Sequence, residues 1–366
     1  MAATKKAINL LLLAAMQALV SAVMAAPSTK TPPGFVPGVK WQIEIQNPLS
    51  AKSALAPTDA LVWDIDLYHV ERNPAIIQHI RSAVKDATII CYFNAGLAQT
   101  SDCDFNSVWQ TPAHKKLLAN PIKGFEGEFW IDIKSQDARD LIKHRIALAQ
   151  KLGCDGVDPD NIDGYGIDEG GDNGTGWNLS QTDYIKFITE LATYAHSLTS
   201  KRGFPILIGQ KNAPEIAPKV APVLDFAVLE GCKGLQDGGS GGSGGFCDVF
   251  AKSYLDAGKP VFSIGYPKSL GGRGGCKASG VDSAEFAKVC AKSADMFSDV
   301  LKLSGGDVEL DGCTQYCGLG VGKGVVTTAV DKKENETGEC PRLGSSGVGV
   351  GEDLDSGEDG ADKEED

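Results

Sequence analysis

The chain has 366 residues, of which 42% are hydrophobic and 23% charged, and it carries a formal net charge of −13 at pH 7. This length is sufficient for one large domain with a full core, and the acidic balance gives no reason to expect a nucleic-acid partner. Most of the negative charge lies in residues 305–366, which hold 16 acidic and 5 basic side chains, so the rest of the chain is only mildly acidic.

The N-terminus has the pattern of a secretory signal peptide over residues 1–26. A basic start and the apolar run of residues 8–20 are followed by two small residues, Ala25 and Ala26, just before a proline. The alternative is a membrane anchor, but the apolar run is short for a spanning helix, which needs ~20 residues. We therefore expect a protein that is secreted or located in the cell wall, with no membrane attachment once the signal is removed.

Cysteine usage supports the same compartment. The chain contains ten cysteines, and an even count in a secreted chain favours disulfides. Cys313 and Cys317 lack the matching histidine or second cysteine pair of a zinc site. Cys232 and Cys247 flank a Gly/Ser-rich segment and could be joined across it, although the sequence leaves the connectivity open. Three glycosylation sequons fit a secreted protein, at Asn173, Asn178 and Asn335.

After the signal, the chain divides into three segments. Residues 27–37 are a Pro-rich lead-in, residues 38–304 have the mixed pattern of one α/β domain, and residues 305–366 are rich in glycine and acidic residues. Because the last segment offers few apolar side chains to bury, we expect it to be a disordered tail.

Eight strand-like runs recur through the predicted domain at fairly even spacing. They begin, in chain order, at Val39, Ala60, Thr88, Glu128, Cys154, Pro205, Asp225 and Pro260. Helical periodicity fills several gaps, with Ser135 as a predicted N-cap, Gly153 as a predicted helix end, and Ser180 and Asp183 at capping-box spacing. The last predicted helix covers residues 282–305.

Strands that alternate with helices over about 250 residues predict an α/β fold of the (β/α)8, or TIM-barrel, type. The alternative is an open, doubly wound parallel sheet. Its nucleotide-binding form normally has a GxGxxG motif after the first strand, and this chain has none at that place.

Polar residues recur where the predicted strands end, and in a barrel this edge carries the active site. In chain order they are Asp64 and Asp66, Tyr92 and Asn94, Asp132, Asp158 and Asp160, Lys211 and Asn212, and Glu230. Helix capping by aspartate explains single members such as Asp64, but it does not explain carboxylates at four strand ends. The pattern therefore predicts a shared acidic cleft.

Two separated carboxylates that face one cavity are the groups that cleave a glycosidic bond. One acts as an acid on the leaving oxygen, and the other acts as a nucleophile or as a base for water. Aromatic residues near the same strand ends could stack on sugar rings, although each is also compatible with simple packing. The chain has no GxSxG elbow and no phosphate loop, and its five histidines show no metal-like pairing.

Five ordered blocks of the sequence resemble glycoside hydrolase family 114, the endo-α-1,4-polygalactosaminidases of bacteria and fungi. The blocks are WDIDLYHV, ICYFNAG, FWIDIKS, GCDGVDPDNIDGY and DFAVLEGC, and the match spans about residues 38–267. The resemblance implies a secreted TIM-barrel hydrolase with no metal or organic cofactor. It also implies a polymeric α-1,4-galactosamine substrate, as in the galactosaminogalactan of fungal walls and biofilms.

The resemblance assigns the chemistry to Asp160, which stands in the PDN block, and to Glu230, which stands late in the seventh predicted strand. We expect Asp160 to be the nucleophile and Glu230 the general acid and base. The residues expected to bind the sugar are Asp66, Tyr92, Asp132, Asp158, Asn161, Tyr165, Lys211, Asn212 and Tyr266. Since galactosamine is cationic at neutral pH, surplus carboxylates could pair with its ammonium groups. The expected partner is thus a cationic polysaccharide bound by a monomer, with no nucleic acid and no membrane involved.

Several positions depart from the family pattern, including two at which an acidic residue is usual. Gly265 stands before Tyr266 where a glutamate is usual, and His69 stands where an aspartate is usual. A catalytically silent, carbohydrate-binding barrel of the cell wall is therefore an alternative from another functional class. A chitinase-like hydrolase of family 18 is a second alternative, but Ile162 occupies the position of the acid that protonates the leaving group in that family.

Overall fold

The computed structural model describes residues 31–169, 174–233, 246–272, 275–290, 296–305, 310–319, 324–332 and 340. The predicted signal peptide, the Gly/Ser-rich segment after Cys232, the sequons at Asn173 and Asn335, and the end of the predicted tail lie outside these residues. Among the helices that the structure describes, none is long and apolar enough to cross a membrane.

The strands are short and are distributed along the whole described chain. They are β1 (Trp41–Glu44), β2 (Val62–Asp66), β3 (Thr88–Asn94), β4 (Leu97–Gln99), β5 (Leu118–Pro121), β6 (Glu128–Ile131), β7 (Gly156–Asp160), β8 (Leu207–Lys211), β9 (Phe226–Glu230), β10 (Val261–Gly265), β11 (Gly271–Gly272), β12 (Gly275–Cys276), β13 (Ser298–Leu301), β14 (Cys313–Tyr316) and β15 (Val325–Thr327).

The α-helices vary from one turn to about five turns. They are α1 (Leu67–Arg72), α2 (Ala75–Ala83), α3 (Gln136–Leu152), α4 (Tyr165–Glu169), α5 (Gln181–Ser197), α6 (Ala217–Val220), α7 (Cys247–Ser253) and α8 (Ser283–Val289). Single turns of 3-10 or π helix also occur, at Phe105–Trp109, Lys115–Leu117, Ala221–Val223, Leu255–Ala257, Lys268–Leu270 and Cys317–Leu319.

Eight parallel strands form the barrel, as the sequence predicted. Around it the order is β1, β2, β3, β7, β8, β9, β10 and β13, and each strand pairs in parallel with the next. Where β13 meets β1, the Trp41 indole donates a hydrogen bond to the Ser298 carbonyl oxygen at 2.7 Å. The antiparallel strand β14 also pairs with β13, and the Tyr316 hydroxyl donates to the Trp41 carbonyl oxygen at 3.0 Å. β14 therefore helps to close the barrel.

Residue alternation along the barrel strands determines where the polar groups lie. Val62, Ile90, Leu207, Phe226 and Phe262 pack together as an apolar layer inside the barrel. Their neighbours in sequence belong to a second core, between the strands and the helices. Residues two or four positions after the inner apolar residues face the same way. They are polar on several strands, which places polar side chains above the apolar layer, at the carboxyl ends.

The predicted boundaries of the two longest helices, α3 and α5, agree with the structure. Ser180 and Asp183 form a capping box at the start of α5, with each side chain bonded to the other residue's backbone N–H. Ser135 precedes α3, although its side chain makes no capping hydrogen bond. Gly153 ends α3 with a φ of 113°, a left-handed conformation that glycine adopts without steric cost.

Two predicted elements are placed differently. The run from Glu128 forms β6, which pairs antiparallel with β4 and β5 in a separate three-stranded sheet, so it is not a barrel strand. The eighth barrel strand is instead β13, which lies within residues 282–305, the last predicted helix. Within the described parts of that segment, residues 282–290 and 296–305, α8 is the one α-helix. A run as short as β13 does not distinguish strand from helix by its periodicity.

The fold continues beyond residue 304, where the sequence predicted the disordered tail to begin. β14 and β15 extend the barrel sheet, and the buried Lys302 ammonium pairs with the Glu44 carboxylate at 3.2 Å. All ten cysteines are paired, including the predicted pair Cys232–Cys247. The other disulfides are Cys91–Cys154, Cys103–Cys340, Cys276–Cys313 and Cys290–Cys317. Sheet pairing and three of these covalent links attach the chain after residue 304 to the barrel.

Candidate active site

A cluster of charged side chains lies inside the barrel at the carboxyl ends of its strands. It combines Asp64 from β2, Asp158 and Asp160 from β7, Lys211 from β8 and Glu230 from β9. These residues come from distant parts of the sequence, but parallel strands bring their carboxyl ends to one edge of the barrel. The cluster therefore occupies the position that active sites take in this fold.

Lys211 is the centre of the cluster. Its side chain is only 1% exposed, and its Nζ atom lies 3.2 Å from Asp160 Oδ2, 3.5 Å from Glu230 Oε2 and 4.0 Å from Asp158 Oδ2. The ammonium also lies over the ring of Tyr92, 5.1 Å from its centroid. Burial alone would lower the pKa of Lys211, but the surrounding carboxylates, Asp160 first, hold that pKa well above its usual value. Lys211 is therefore a permanent cation.

Asp160 is held through both of its carboxylate oxygens. The Tyr92 hydroxyl donates to Oδ2 at 2.9 Å, on the same oxygen that Lys211 contacts. The backbone N–H of Asn161 donates to Oδ1 at 2.7 Å. Asn161 has a φ of 57°, and its side-chain amide donates to Asn94 Oδ1. With its side chain 18% exposed, Asp160 is oriented by the protein and still accessible from the cleft.

Glu230 is also held at both oxygens. The Tyr266 hydroxyl donates to Oε1 at 2.5 Å, and the Asn212 amide nitrogen donates to Oε2 at 3.3 Å. Asn212 also accepts the backbone N–H of Glu230 at 2.9 Å through its Oδ1 atom. The Glu230 side chain is 25% exposed, more than that of Asp160. The cleft therefore presents two accessible carboxylates whose oxygens contact one ammonium group.

Asp64 and Asp158 form a buried carboxyl pair beneath the two accessible carboxylates. Both residues are fully buried. Burial and then the charge of Asp158 raise the pKa of Asp64 well above its usual value. Burial raises the pKa of Asp158 to about 7, against the opposing effect of Lys211. Burial and nearby carboxylates favour the neutral form of both groups, so the pair holds a proton more tightly than an exposed carboxyl does.

Four of the predicted sugar-binding residues have side chains that form their hydrogen bonds outside this cluster. Asp66 caps α1 by accepting the backbone N–H groups of Tyr68 and His69, each at 2.9 Å. Asp132 follows β6 and accepts the Lys134 backbone N–H at 3.1 Å. Tyr165 is 2% exposed and donates to Glu215 Oε2 at 2.8 Å. The Asn161 side chain is bonded to Asn94. By contrast, Tyr92, Asp158, Lys211, Asn212 and Tyr266 all lie in or against the cluster.

Gly265 faces away from the charged cluster. Its neighbours Ile264 and Tyr266 belong to the core inside the barrel, so alternation turns position 265 outward. A Cβ atom built there would lie 3.0 Å from Leu301 Cδ2 on the adjacent strand. A side chain at this position therefore points towards β13 and not between Asp160 and Glu230.

Two acidic residues near the cleft were missed as site residues in the sequence. Asp64 was counted among the carboxylates of the predicted cleft but was given no role in it, although the period-two alternation from the inward-facing Val62 places it inside the barrel. Glu128 lies on β6, and both burial and the Asp160 carboxylate raise its pKa. No sequence signal marks Glu128, because β6 reaches the cleft only through the separate three-stranded sheet.

Comparisons with known proteins relate the chain to one family and to several solved structures. The model of glycoside-hydrolase family GH114 matches residues 21–322. The crystal structure of Aspergillus fumigatus Ega3 in complex with galactosamine is 31% identical in sequence, covers 80% of this chain and 100% of its own, and superposes with a TM-score of 0.61. The glycoside hydrolase domain of PelA from Pseudomonas aeruginosa is 13% identical, covers 72% of this chain and 94% of its own, and has a TM-score of 0.47. No curated protein matches the chain.

Proposed function

The chain belongs to glycoside-hydrolase family GH114, and from this premise we propose that it cleaves α-1,4-linked galactosamine polymers at internal bonds. Family membership makes the protein a glycoside hydrolase. The relative Ega3 is known in complex with galactosamine, which supports an amino sugar as the unit that this cleft recognises. Galactosaminogalactan is the polymer that fits these requirements.

The geometry of Asp160 and Glu230 is the observation that carries this proposal. They stand at the ends of β7 and β9, with β8 between them, and both remain accessible from the cleft. Each is fixed by a tyrosine hydroxyl and by further donors. Substrate binding therefore does not have to order either side chain. Two fixed, accessible carboxylates in one cleft are what glycosidic cleavage requires.

We assign the nucleophile to Asp160 because one of its carboxylate oxygens is held by two donors in an orientation that faces the cleft. Its Oδ2 atom receives both the Tyr92 hydroxyl and the Lys211 ammonium, and the ammonium is nearer to Asp160 than to Glu230. Asp160 attacks the anomeric carbon while the protonated Glu230 gives its proton to the departing glycosidic oxygen. Glu230 then takes a proton from water, and that water releases the sugar from Asp160.

The contacts of Lys211 limit the separation of the two carboxylates to a range that includes the short spacing of retaining enzymes. Asp160 Oδ2 and Glu230 Oε2 both lie within 3.5 Å of the same nitrogen atom, Lys211 Nζ. The two oxygens are therefore at most about 7 Å apart, and any bend at the nitrogen brings them closer. Retaining enzymes place their carboxyls roughly 5–5.5 Å apart, whereas inverting enzymes need roughly 6.5–9.5 Å to accommodate a water molecule.

Recognition of a cationic sugar falls to the carboxylates that solvent reaches. Asp158 is fully buried and lies below Lys211, so it does not contact substrate directly. Asp160, Glu230 and the half-buried Glu128 are acidic groups that an ammonium group of the polymer can reach. The predicted ion pairs with galactosamine are therefore limited to carboxylates that solvent reaches.

Hydrolysis of partly deacetylated α-1,4-galactosaminogalactan tests the proposed function. We expect the wild-type protein to release oligosaccharides that mass spectrometry detects, and we expect Asp160→Asn and Glu230→Gln to remain folded and release none. Asp140→Asn is the matched control, because Asp140 is an exposed aspartate that pairs with Lys143 on α3. A folded wild-type protein that binds the polymer without cleaving it would instead identify a catalytically silent carbohydrate-binding barrel.

We propose that the protein works outside the cell as a monomer whose partner is the polysaccharide. Five disulfides support an oxidising compartment, because such bonds persist in secreted proteins and are rare in the cytosol. Size-exclusion chromatography of the secreted protein, with cysteine accessibility measured before and after reduction, tests both parts of this proposal.

A further inference from the structure

We propose that Lys211 is the shared counter-ion of the reaction, which changes its carboxylate partner from Asp160 to Glu230 as negative charge passes between them. The inference deepens the proposed function and rests on it for the identity of the reacting groups. In this role Lys211 is a positioning residue that acts through the two carboxylates. The sequence suggested instead that this lysine binds sugar.

The exposure of Lys211 excludes direct contact with the polymer. Only 1% of its side chain is exposed, against 18% for Asp160 and 25% for Glu230. The two carboxylates therefore lie between the ammonium group and the cleft. A cation in this position acts on the reaction through the charges that it contacts and not through the substrate.

The contacts of Lys211 match the movement of charge in each half of the reaction. When Asp160 bonds to the anomeric carbon, its negative charge is lost and the glycosidic carbon–oxygen bond breaks. The proton of Glu230 goes to the departing oxygen, so the negative charge appears on Glu230. In the second half of the reaction Glu230 takes a proton from water and loses its charge. Asp160 regains its charge as its bond to the sugar breaks. Lys211 Nζ contacts Asp160 Oδ2 at 3.2 Å and Glu230 Oε2 at 3.5 Å, so it adjoins the charged carboxylate in every state.

A fixed cation is effective here because it needs no rearrangement during the reaction. The side chain lies on β8, between the strands that carry the two reacting carboxylates, and the Tyr92 ring packs against its ammonium group. Asp158 lies below the ammonium group at 4.0 Å, and Asp64 lies beyond Asp158. Charges that are already oriented in a water-poor site stabilise a transition state more than mobile solvent does.

The groups that face Lys211 determine what its removal should do. They are Asp64 on β2, Tyr92 on β3, Asp158 and Asp160 on β7, and Glu230 on β9. Without the ammonium group this set contains only acids, so every carboxyl in it holds its proton more tightly. Asp160 must lose a proton to attack and Glu230 must keep one to act as acid. Both limbs of the pH profile should therefore move to higher pH.

The test compares Lys211→Met with the same substitution at Lys302. Lys302 is the other fully buried lysine of the described residues, and it pairs with Glu44. We expect Lys211→Met to lower kcat by roughly 10²–10³-fold, with a smaller change in KM, and to shift both limbs of the pH profile upward. Lys302→Met should lower stability and leave both limbs in place. Lys211→Arg, which keeps the charge, should recover part of kcat.

A second readout keeps this inference separate from the choice of substrate. Side-chain carboxyl ¹³C signals of Asp160 and Glu230 are followed through a pH titration in the wild-type protein and in Lys211→Met. We expect both signals to titrate at higher pH in the variant, whether or not the polymer tested is cleaved. If Lys211→Met does not fold, Lys211→Gln takes its place in both experiments. Unchanged titrations and an unchanged pH profile in a folded variant would overturn the proposal.

Discussion

Replacing Asp158 by asparagine should remove a large part of the pH dependence of stability. Asp158 is fully buried next to Asp64, and its pKa in the folded protein is about 7 against an ordinary value of 3.8. A carboxyl whose pKa is raised by folding favours the folded state fully only below its unfolded pKa. That stability is lost as the pH rises through the pKa that the carboxyl has in the folded protein, here between about pH 4 and pH 7.

The size of the effect follows from the displacement of the Asp158 pKa. A difference of about three units, at 1.36 kcal/mol per unit, corresponds to roughly 4 kcal/mol between pH 4 and pH 8. Asparagine has nearly the same shape and does not titrate, so it is free of this penalty. The free energy of unfolding of Asp158→Asn, relative to the wild type, should therefore rise by about 4 kcal/mol over that range.

Urea unfolding at pH 4, 6 and 8, followed by tryptophan fluorescence with the disulfides intact, measures this difference. Subtracting the wild-type curve at each pH removes the contribution of titrating groups that are distant from Asp158. The Asp64 carboxyl titrates together with Asp158, so its change is part of the measured difference. The same series with Asp140→Asn controls for the loss of an exposed aspartate. A variant-minus-wild-type difference that stays constant within about 1 kcal/mol from pH 4 to pH 8 would refute the account of the buried pair.

Three further substitutions test single contacts. Tyr92→Phe removes the hydroxyl that donates to the Asp160 carboxylate, a hydrogen bond worth about 1.5–3 kcal/mol. We expect kcat/KM on the polymer to fall roughly 10–100-fold. An unchanged kcat/KM would show that the hydroxyl is dispensable. Gly96→Ala should reduce both activity and melting temperature, because the alanine Cβ atom would overlap the Asn161 carbonyl oxygen. Wild-type activity and melting temperature in this variant would mean that the turn adapts freely. Lys302→Met should lower the free energy of unfolding in urea by about 3–5 kcal/mol, because Glu44 loses its ion-pair partner. Adding Glu44→Gln should recover part of this stability, whereas losses from the two substitutions that simply add would contradict the pairing.

The barrel could be predicted from the sequence because most of its strands end in a change from apolar to polar residues. In β2, for example, Val62 lies in the apolar core and Asp64 two positions later enters the charged cluster. β6 and β13 were misassigned for different reasons. β6 has the composition of a barrel strand but pairs with β4 and β5, and sequence composition does not specify the pairing partner. β13 is too short for its periodicity to distinguish strand from helix.

The aspartates from Asp155 to Asp163 show which parts of a site a sequence reveals. Asp155 lies just before β7, at the opposite end of the barrel, where it accepts hydrogen bonds from Arg81 and from the backbone of Ile89. Asp158 lies buried inside, and Asp160 reaches the cleft. Burial and then the Asp160 carboxylate raise the pKa of Asp163 to about 6. The two-residue spacing of Asp158 and Asp160 places both on one face of β7, but the depth of each carboxyl depends on strands that are distant in sequence.

Chemical rescue by azide tests most directly whether Asp160 and Glu230 perform the reaction. Azide is a small anion that can enter the space left by a missing carboxylate, and the assay uses an activated aryl α-galactosaminide oligomer. The account predicts that azide restores turnover in Asp160→Ala and yields a β-glycosyl azide, because the anion attacks from the face of the lost nucleophile. In Glu230→Ala it predicts an α-glycosyl azide, formed from the sugar attached to Asp160. Wild-type rates in either variant without azide, or the same anomer from both, would contradict the assignment.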